Sequence, residues 1–317
     1  MRPLRGRATS ARRLIAVAAL LVAGCSSGGG GAQGPLNVQV ASFDVAVGPP
    51  SRFIVGLLTA QDKLVGFGTV QMRFLYLGTK QGGTPSPPGP PLVGRYLPIP
   101  GTTVPSPPPA EPRVVSGAEA RGVYGTTAGF DRAGFWQVEV TARIGSDTVR
   151  GTGAFAVNDH HFIPAPGDAA LPTENLTVTS PSADVPKAAV DSRAGTSGDV
   201  PDPELHQSTI AAALAAHGPA VLVISMPVYC QSRFCGPVTD MVQQLSHTYG
   251  DRASFIHIEV WKDFEHTMMN KSSADWIFRN DEANEPWVFV IGADGRIVAR
   301  FDNVATQQEI EPVLRQL

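Results

Sequence analysis

The chain has 317 residues, long enough for two domains with linkers. Its formal net charge of −3 supplies no basic field, which argues against a nucleic-acid partner. The 33 glycines and 28 prolines cluster in stretches that read as tails and linkers rather than as core.

Arg2, Arg5, Arg7, Arg12 and Arg13 form a cationic n-region, and residues 14–23 form an apolar h-region too short to span a bilayer. The h-region runs into Leu21-Val22-Ala23-Gly24-Cys25, then two serines and a glycine run. This resembles the lipobox of bacterial lipoproteins. The resemblance implies a signal peptide over residues 1–25, lipidation at Cys25, and a mature chain anchored by lipid on the extracytoplasmic face of the cell membrane. Disulfides persist in such a compartment. Two cysteines then remain, closely spaced.

Residues 26–35 are a flexible Gly/Ser-rich tether. From 36 to 157 the pattern is β. Leu36-Asn37-Val38-Gln39-Val40 alternates, as do the runs at 69–76 and 135–142, and further strands are expected at 52–58 and 148–157. Several short strands with turns between them predict an all-β sandwich of immunoglobulin-like type. Gly122-Val123-Tyr124 and Gly134-Phe135-Trp136 resemble the edge motif of bacterial immunoglobulin-like modules. The proline-dense stretch 82–112 reads as an extended loop without a central strand. Asp159-His160-His161 follows the last strand and reads as a solvated polar segment rather than a metal site.

Residues 158–201 form an irregular linker. From 202 the pattern changes to alternating α and β. Asp202-Pro203-Glu204 signals a helix start and His217-Gly218 a stop. Residues 220–225 are a continuous apolar run, as in a strand buried on both faces. Val238, Met241, Val242, Leu245 and Tyr249 recur at helical spacing before Gly250. Strands are expected at 255–260, 287–291 and 297–301, the last two joined by a hairpin at Gly292-Ala293-Asp294-Gly295. A short helix is expected at 272–279, and Thr306 with Glu309 caps a final one.

Cys230 follows the apolar strand, and Cys235 stands at the head of the next helix. A helix N-terminus stabilises a thiolate, the reactive form of cysteine. Residues five apart on an ideal helix point about 140° apart. A disulfide needs its Cα atoms within about 7 Å. The pair therefore closes only with Cys230 in the loop and Cys235 in the first turn, or with the turn unwound. Arg233 between them either favours a thiolate by its charge or is a solvated loop residue.

This order of elements, with cysteines between the first apolar strand and its helix, resembles the thioredoxin superfamily over residues 202–317. The resemblance implies an α/β thioredoxin-like domain there. It implies Cys230 as nucleophile and Cys235 as resolving cysteine, with Tyr229 as the preceding aromatic. It further implies Pro286 as a substrate-facing cis-proline, with Trp287 beside it in the groove. Two registers remain open, because Cys235-Gly236-Pro237 also matches the start of the thioredoxin Cys-Gly-Pro-Cys motif. Four residues separate the cysteines instead of two, and Ile224 stands where many relatives carry a buried acid. The spacing also resembles peroxiredoxins of the Q class, although Pro227 replaces their hydroxyl residue. Copper proteins of the Sco type need a histidine late in the chain, and none follows His266.

The expected activity is thiol–disulfide exchange with exported proteins, without a cofactor or metal. Alternatives are a thiol peroxidase and a non-enzymatic binding scaffold.

Overall fold

The computed structural model describes residues 36–116, 121–195, 198–230 and 232–317. Cys25 and the expected lipobox lie outside the described residues.

Seven strands come first: β1 (Leu36–Val40), β2 (Gly48–Thr59), β3 (Thr69–Gly78), β4 (Leu92–Pro98), β5 (Gly122–Phe130), β6 (Gly134–Ile144) and β7 (Asp147–Val157). They form a closed barrel in the order β1-β2-β5-β4-β3-β6-β7. Alternation over residues 69–74 of β3 turns Val70, Met72 and Phe74 inward. Inside, Phe74 meets Phe53 and Phe130 edge-on at centroid distances of 5.0 and 5.3 Å.

Closure overturns the expected immunoglobulin-like sandwich. β1 pairs antiparallel with β2 and, at its other edge, parallel with β7 through Leu36–Gly151 and Asn37–Thr152. A side chain at residue 151 would run into the Leu36 carbonyl, and one at residue 153 would come within 2.9 Å of the Val38 carbonyl. Glycine at both positions lets the first and last strands meet, and a barrel leaves no sheet edge unpaired. The proline-dense stretch also holds more order than expected. Leu92–Pro98 is a strand paired with both β3 and β5.

Residues 220–302 supply a second sheet: β8 (Ala220–Ser225), β9 (Ser254–Glu259), β10 (Trp287–Ile291) and β11 (Ile297–Asp302), in the order β9-β8-β10-β11. β8 runs parallel to β9, while β10 is antiparallel to both of its neighbours. β8 and β10 are buried throughout, as their unbroken apolar runs require. The helices α2 (Cys235–Tyr249) and α4 (Gln307–Leu314) cover one face, packing Val238, Met241, Leu245 and Ile310 on Val221, Val223, Val288 and Val290. The short helices α1 (Ile210–Ala215) and α3 (Lys271–Ile277) cover the other. The helix expected from 202 breaks into a 3₁₀ turn, Pro203–His206, and the later α1.

The expectation of a separate α/β thioredoxin-like domain is likewise corrected. Strand dominates the regular structure, the helices are few and mostly short, and Gln33–Leu317 forms one compact unit. Barrel and sheet are bolted together by ions and hydrogen bonds. Arg52 on β2 reaches Asp302 (2.9 Å), Glu309 (2.6 Å) and the Val304 carbonyl. Arg300 reaches Asp44 at 2.9 Å, and the Phe43 amide donates to Asp302 at 2.6 Å. These contacts join residues some 250 positions apart, so periodicity within either segment carries no trace of them. No helix among the described residues is long and apolar enough to cross a membrane.

Candidate redox site

β8 ends at Ser225, and the chain turns through Met226 and Pro227 before reaching Cys230. The Cys230 amide donates to the Met226 carbonyl at 3.1 Å, closing that turn. Arg233 takes φ +62°, a left-handed geometry that redirects the chain into α2. Cys235 is the first residue of α2, with Pro237 in its first turn, where a missing N–H costs nothing. The Phe234 side chain makes no cap hydrogen bond, so no side chain from that position neutralises the positive end of this 15-residue helix, at which Cys235 stands.

Cys230 and Cys235 form a disulfide, with Cα atoms 6.0 Å apart. This is the first of the two arrangements that helix geometry allows. The two sulfurs are not equivalent. Cys235 is fully buried, whereas Cys230 is part-exposed and lies 3.2 Å from the Ser232 hydroxyl. An incoming thiolate therefore has access to one sulfur, that of Cys230. Arg233 is exposed.

Of the other expected site residues, Tyr229 lies on the surface, stacked on Phe264 at 4.1 Å and 5°. Val228 and Tyr229, just before Cys230 in the chain, and Phe264, stacked on Tyr229, are exposed and form an apolar rim beside Cys230. Pro286 is buried, and its bond to Glu285 is cis. Trp287 is only 2% exposed and belongs to the core, stacked on Phe289 and beneath the Arg300 guanidinium. It does not join the exposed rim. His161, read as solvated, bonds to Arg300 at 2.7 Å and lies 3.2 Å from Asp44.

Sequence reading missed Glu285. Its carboxylate and both cysteine sulfurs lie within 4.8 Å of one another. Burial and the nearby charge of Glu259 push the Glu285 carboxyl up to about 7. Glu259, on β9, is 1% exposed, and burial pushes it to about 7 as well. Its oxygens accept from the Ser192 and Val260 amides at 2.8 and 2.9 Å. Ile224 offers no acid, and Glu285 lies in the irregular stretch between Ala283 and β10, one residue before Pro286. That adjacency was the available signal. With both sulfurs oxidised, Cys230 and Cys235 offer no thiolate to a metal.

A cleft of about 670 Å³ opens beside the cysteine turn. Ser232 and Phe234 line it on one side, Met241 and Glu311 of the sheet-covering helices on another, and Ile99 and Arg121 of the barrel complete it. No protein-family profile and no curated protein matches the chain.

Proposed function

We propose that this chain is a lipid-anchored extracytoplasmic thiol–disulfide oxidoreductase acting on thiols or disulfides of exported proteins. The observation that carries this reading is the asymmetry of the disulfide: one sulfur accessible, its partner buried at a helix start, and a carboxyl of raised pKa beside both.

In the oxidising direction a client thiolate attacks the Cys230 sulfur. The Cys230–Cys235 bond breaks, and its electron pair goes to the Cys235 sulfur. The N-terminus of α2 stabilises that charge, and Glu285 gives it a proton. The Glu285 carboxylate then takes the proton of the client's second thiol. That thiolate attacks the client sulfur in the mixed disulfide, and Cys230 leaves as a thiolate. The client dithiol has become a disulfide, the chain's disulfide a dithiol, and Glu285 is restored. Run backwards, the same steps reduce a client disulfide. The Val228, Tyr229 and Phe264 rim supplies apolar contact to an unfolded client segment.

Incubation of the oxidised chain with a dithiol peptide, followed by alkylation and mass analysis, tests this. The expected result is one peptide disulfide formed for each Cys230–Cys235 pair reduced. A pair that stays oxidised while the peptide stays reduced, at potentials where a small dithiol reduces it, refutes the proposal.

A further inference from the structure

Behind the redox sheet, three segments far apart in sequence converge on one point. Asp191 sits in the 3₁₀-rich linker, His206 ends the turn Pro203–His206, and His257 lies on β9. All three side chains are 0% exposed. The Asp191 Oδ2 atom lies 3.5 Å from His206 Nε2 and 3.3 Å from His257 Nδ1, and one ligand atom from each residue falls within 4.8 Å of the others.

The hydrogen-bond polarity of this cluster can be traced from a fixed end. Thr239 donates its hydroxyl proton to the Cys235 carbonyl at 2.8 Å. The Ser225 hydroxyl, 2.7 Å from Thr239, must then donate to it. Ser225 Oγ is thereby left to accept from His257 Nε2 at 3.0 Å, and the Ser225 carbonyl, 3.3 Å away, can only accept. His257 Nε2 therefore carries the proton, and in the neutral ring Nδ1 presents a lone pair. That lone pair points at a carboxylate oxygen, another acceptor. Neither His257 Nδ1 nor either nitrogen of His206 has a hydrogen-bond partner among the described residues. Buried nitrogens that face a carboxylate at these distances without a hydrogen bond are costly unless a proton or a metal cation lies between.

We propose that Asp191, His206 and His257 bind a divalent transition-metal ion of the zinc class. Metal–ligand bonds of about 2.0–2.1 Å in a tetrahedron place donor atoms about 3.4 Å apart. Both Asp191–histidine separations match that spacing. Two imidazoles and a carboxylate favour zinc over calcium or magnesium, which take oxygen ligands. The outer partners are in place. Ser225 fixes the His257 tautomer, and Arg193 holds Asp191 at 2.7 Å while pairing with Asp202 at 2.6 Å. Arg193 also pairs with Asp240 at 3.2 Å, so three carboxylates share one guanidinium, a charge pattern that favours a further cation. The ion would brace the linker against β9 and, through Ser225 and Thr239, against the head of α2.

The test uses the full, oxidised chain freed of metal with a chelator, so that the cysteines cannot bind zinc. Zinc titration should give one equivalent retained after gel filtration. Zinc at about a hundredfold excess over Kd should raise Tm by about 4–5 °C. His206→Gln and Asp191→Asn should lose the equivalent, while His247→Gln, at an exposed histidine, should keep it. If the buried variants fail to fold, cobalt replaces zinc in the wild-type chain, and the visible bands of a four-coordinate N/O site are expected. Absence of stoichiometric zinc, equal retention by His206→Gln, or a cobalt spectrum of the hydrated ion would overturn the proposal.

Discussion

Replacing Glu285 with glutamine removes the titrating group beside the disulfide while keeping its size. With its pKa at about 7, the carboxyl is roughly 0.9 protonated at pH 6 and roughly 0.1 at pH 8. A positioned general acid contributes about 10²-fold at the low end of its usual range. The low end applies because Glu285 is partly exposed and a thiolate is already a tolerable leaving group at a helix start. The ratio of wild-type to Glu285→Gln rates should therefore be about 10² below pH 6 and fall to about 10 by pH 8. Above that, the ionised carboxylate adds repulsion to the incoming thiolate. At about 5 Å and an effective dielectric of about 20 this is at most about 3 kcal/mol, and solvent screening lowers it further. The assay is stopped-flow reduction of the disulfide by a small dithiol between about pH 5 and 9. Using the ratio cancels the attacking thiol's own ionisation, which is common to both proteins. A ratio that stays flat across pH 7, or stays near unity, refutes the role assigned to Glu285.

Two further outcomes concern the junction of barrel and sheet. Arg52→Met strands the carboxylates of Asp302 and Glu309, and urea denaturation should show a loss of about 3–5 kcal/mol; a loss under about 1 kcal/mol would mean that the two parts are not bolted there. Burial alone would raise the Asp44 carboxyl. The His161 side chain beside it and the charge and hydrogen bonds of Arg300 prevail and hold it at about 2. A carboxyl depressed in the folded state stabilises above its unfolded pKa, and that stabilisation is lost as pH falls from about 4 to about 2. The lost share is about 2 kcal/mol. In acid titrations followed by circular dichroism, Asp44→Asn should lack this increment, and a wild-type curve that parallels the variant's would contradict it.

The legible parts of the molecule were those written in local pattern. Alternation at residues 36–40 and 69–76 marked barrel strands, and the apolar runs at 220–225 and 287–291 marked strands buried on both faces. The placement of Cys235 at a helix start followed from the residues around it, and helix geometry then limited how the pair could close. Barrel closure was not legible, because it depends on two glycines meeting a strand over 110 residues earlier. The strand at Leu92–Pro98 was masked by the prolines around it. The union of barrel and sheet rests on single arginines whose partners are remote, and an isolated arginine looks the same whether solvated or buried. Glu285 and the Asp191–His206–His257 cluster were hidden for the same reason. A carboxyl's pKa and a histidine's lone pair are set by neighbours that only the fold supplies.

The central claim is that Cys230 is the sulfur that reacts and Cys235 the one that resolves. Trapping of mixed disulfides measures it directly. The Cys235→Ser chain, mixed with an oxidised small-molecule or protein disulfide, should accumulate a covalent adduct at Cys230. The Cys230→Ser chain should give little under the same conditions, because Cys235 is fully buried. Equal adduct yields from the two variants, or none from Cys235→Ser, would contradict the account.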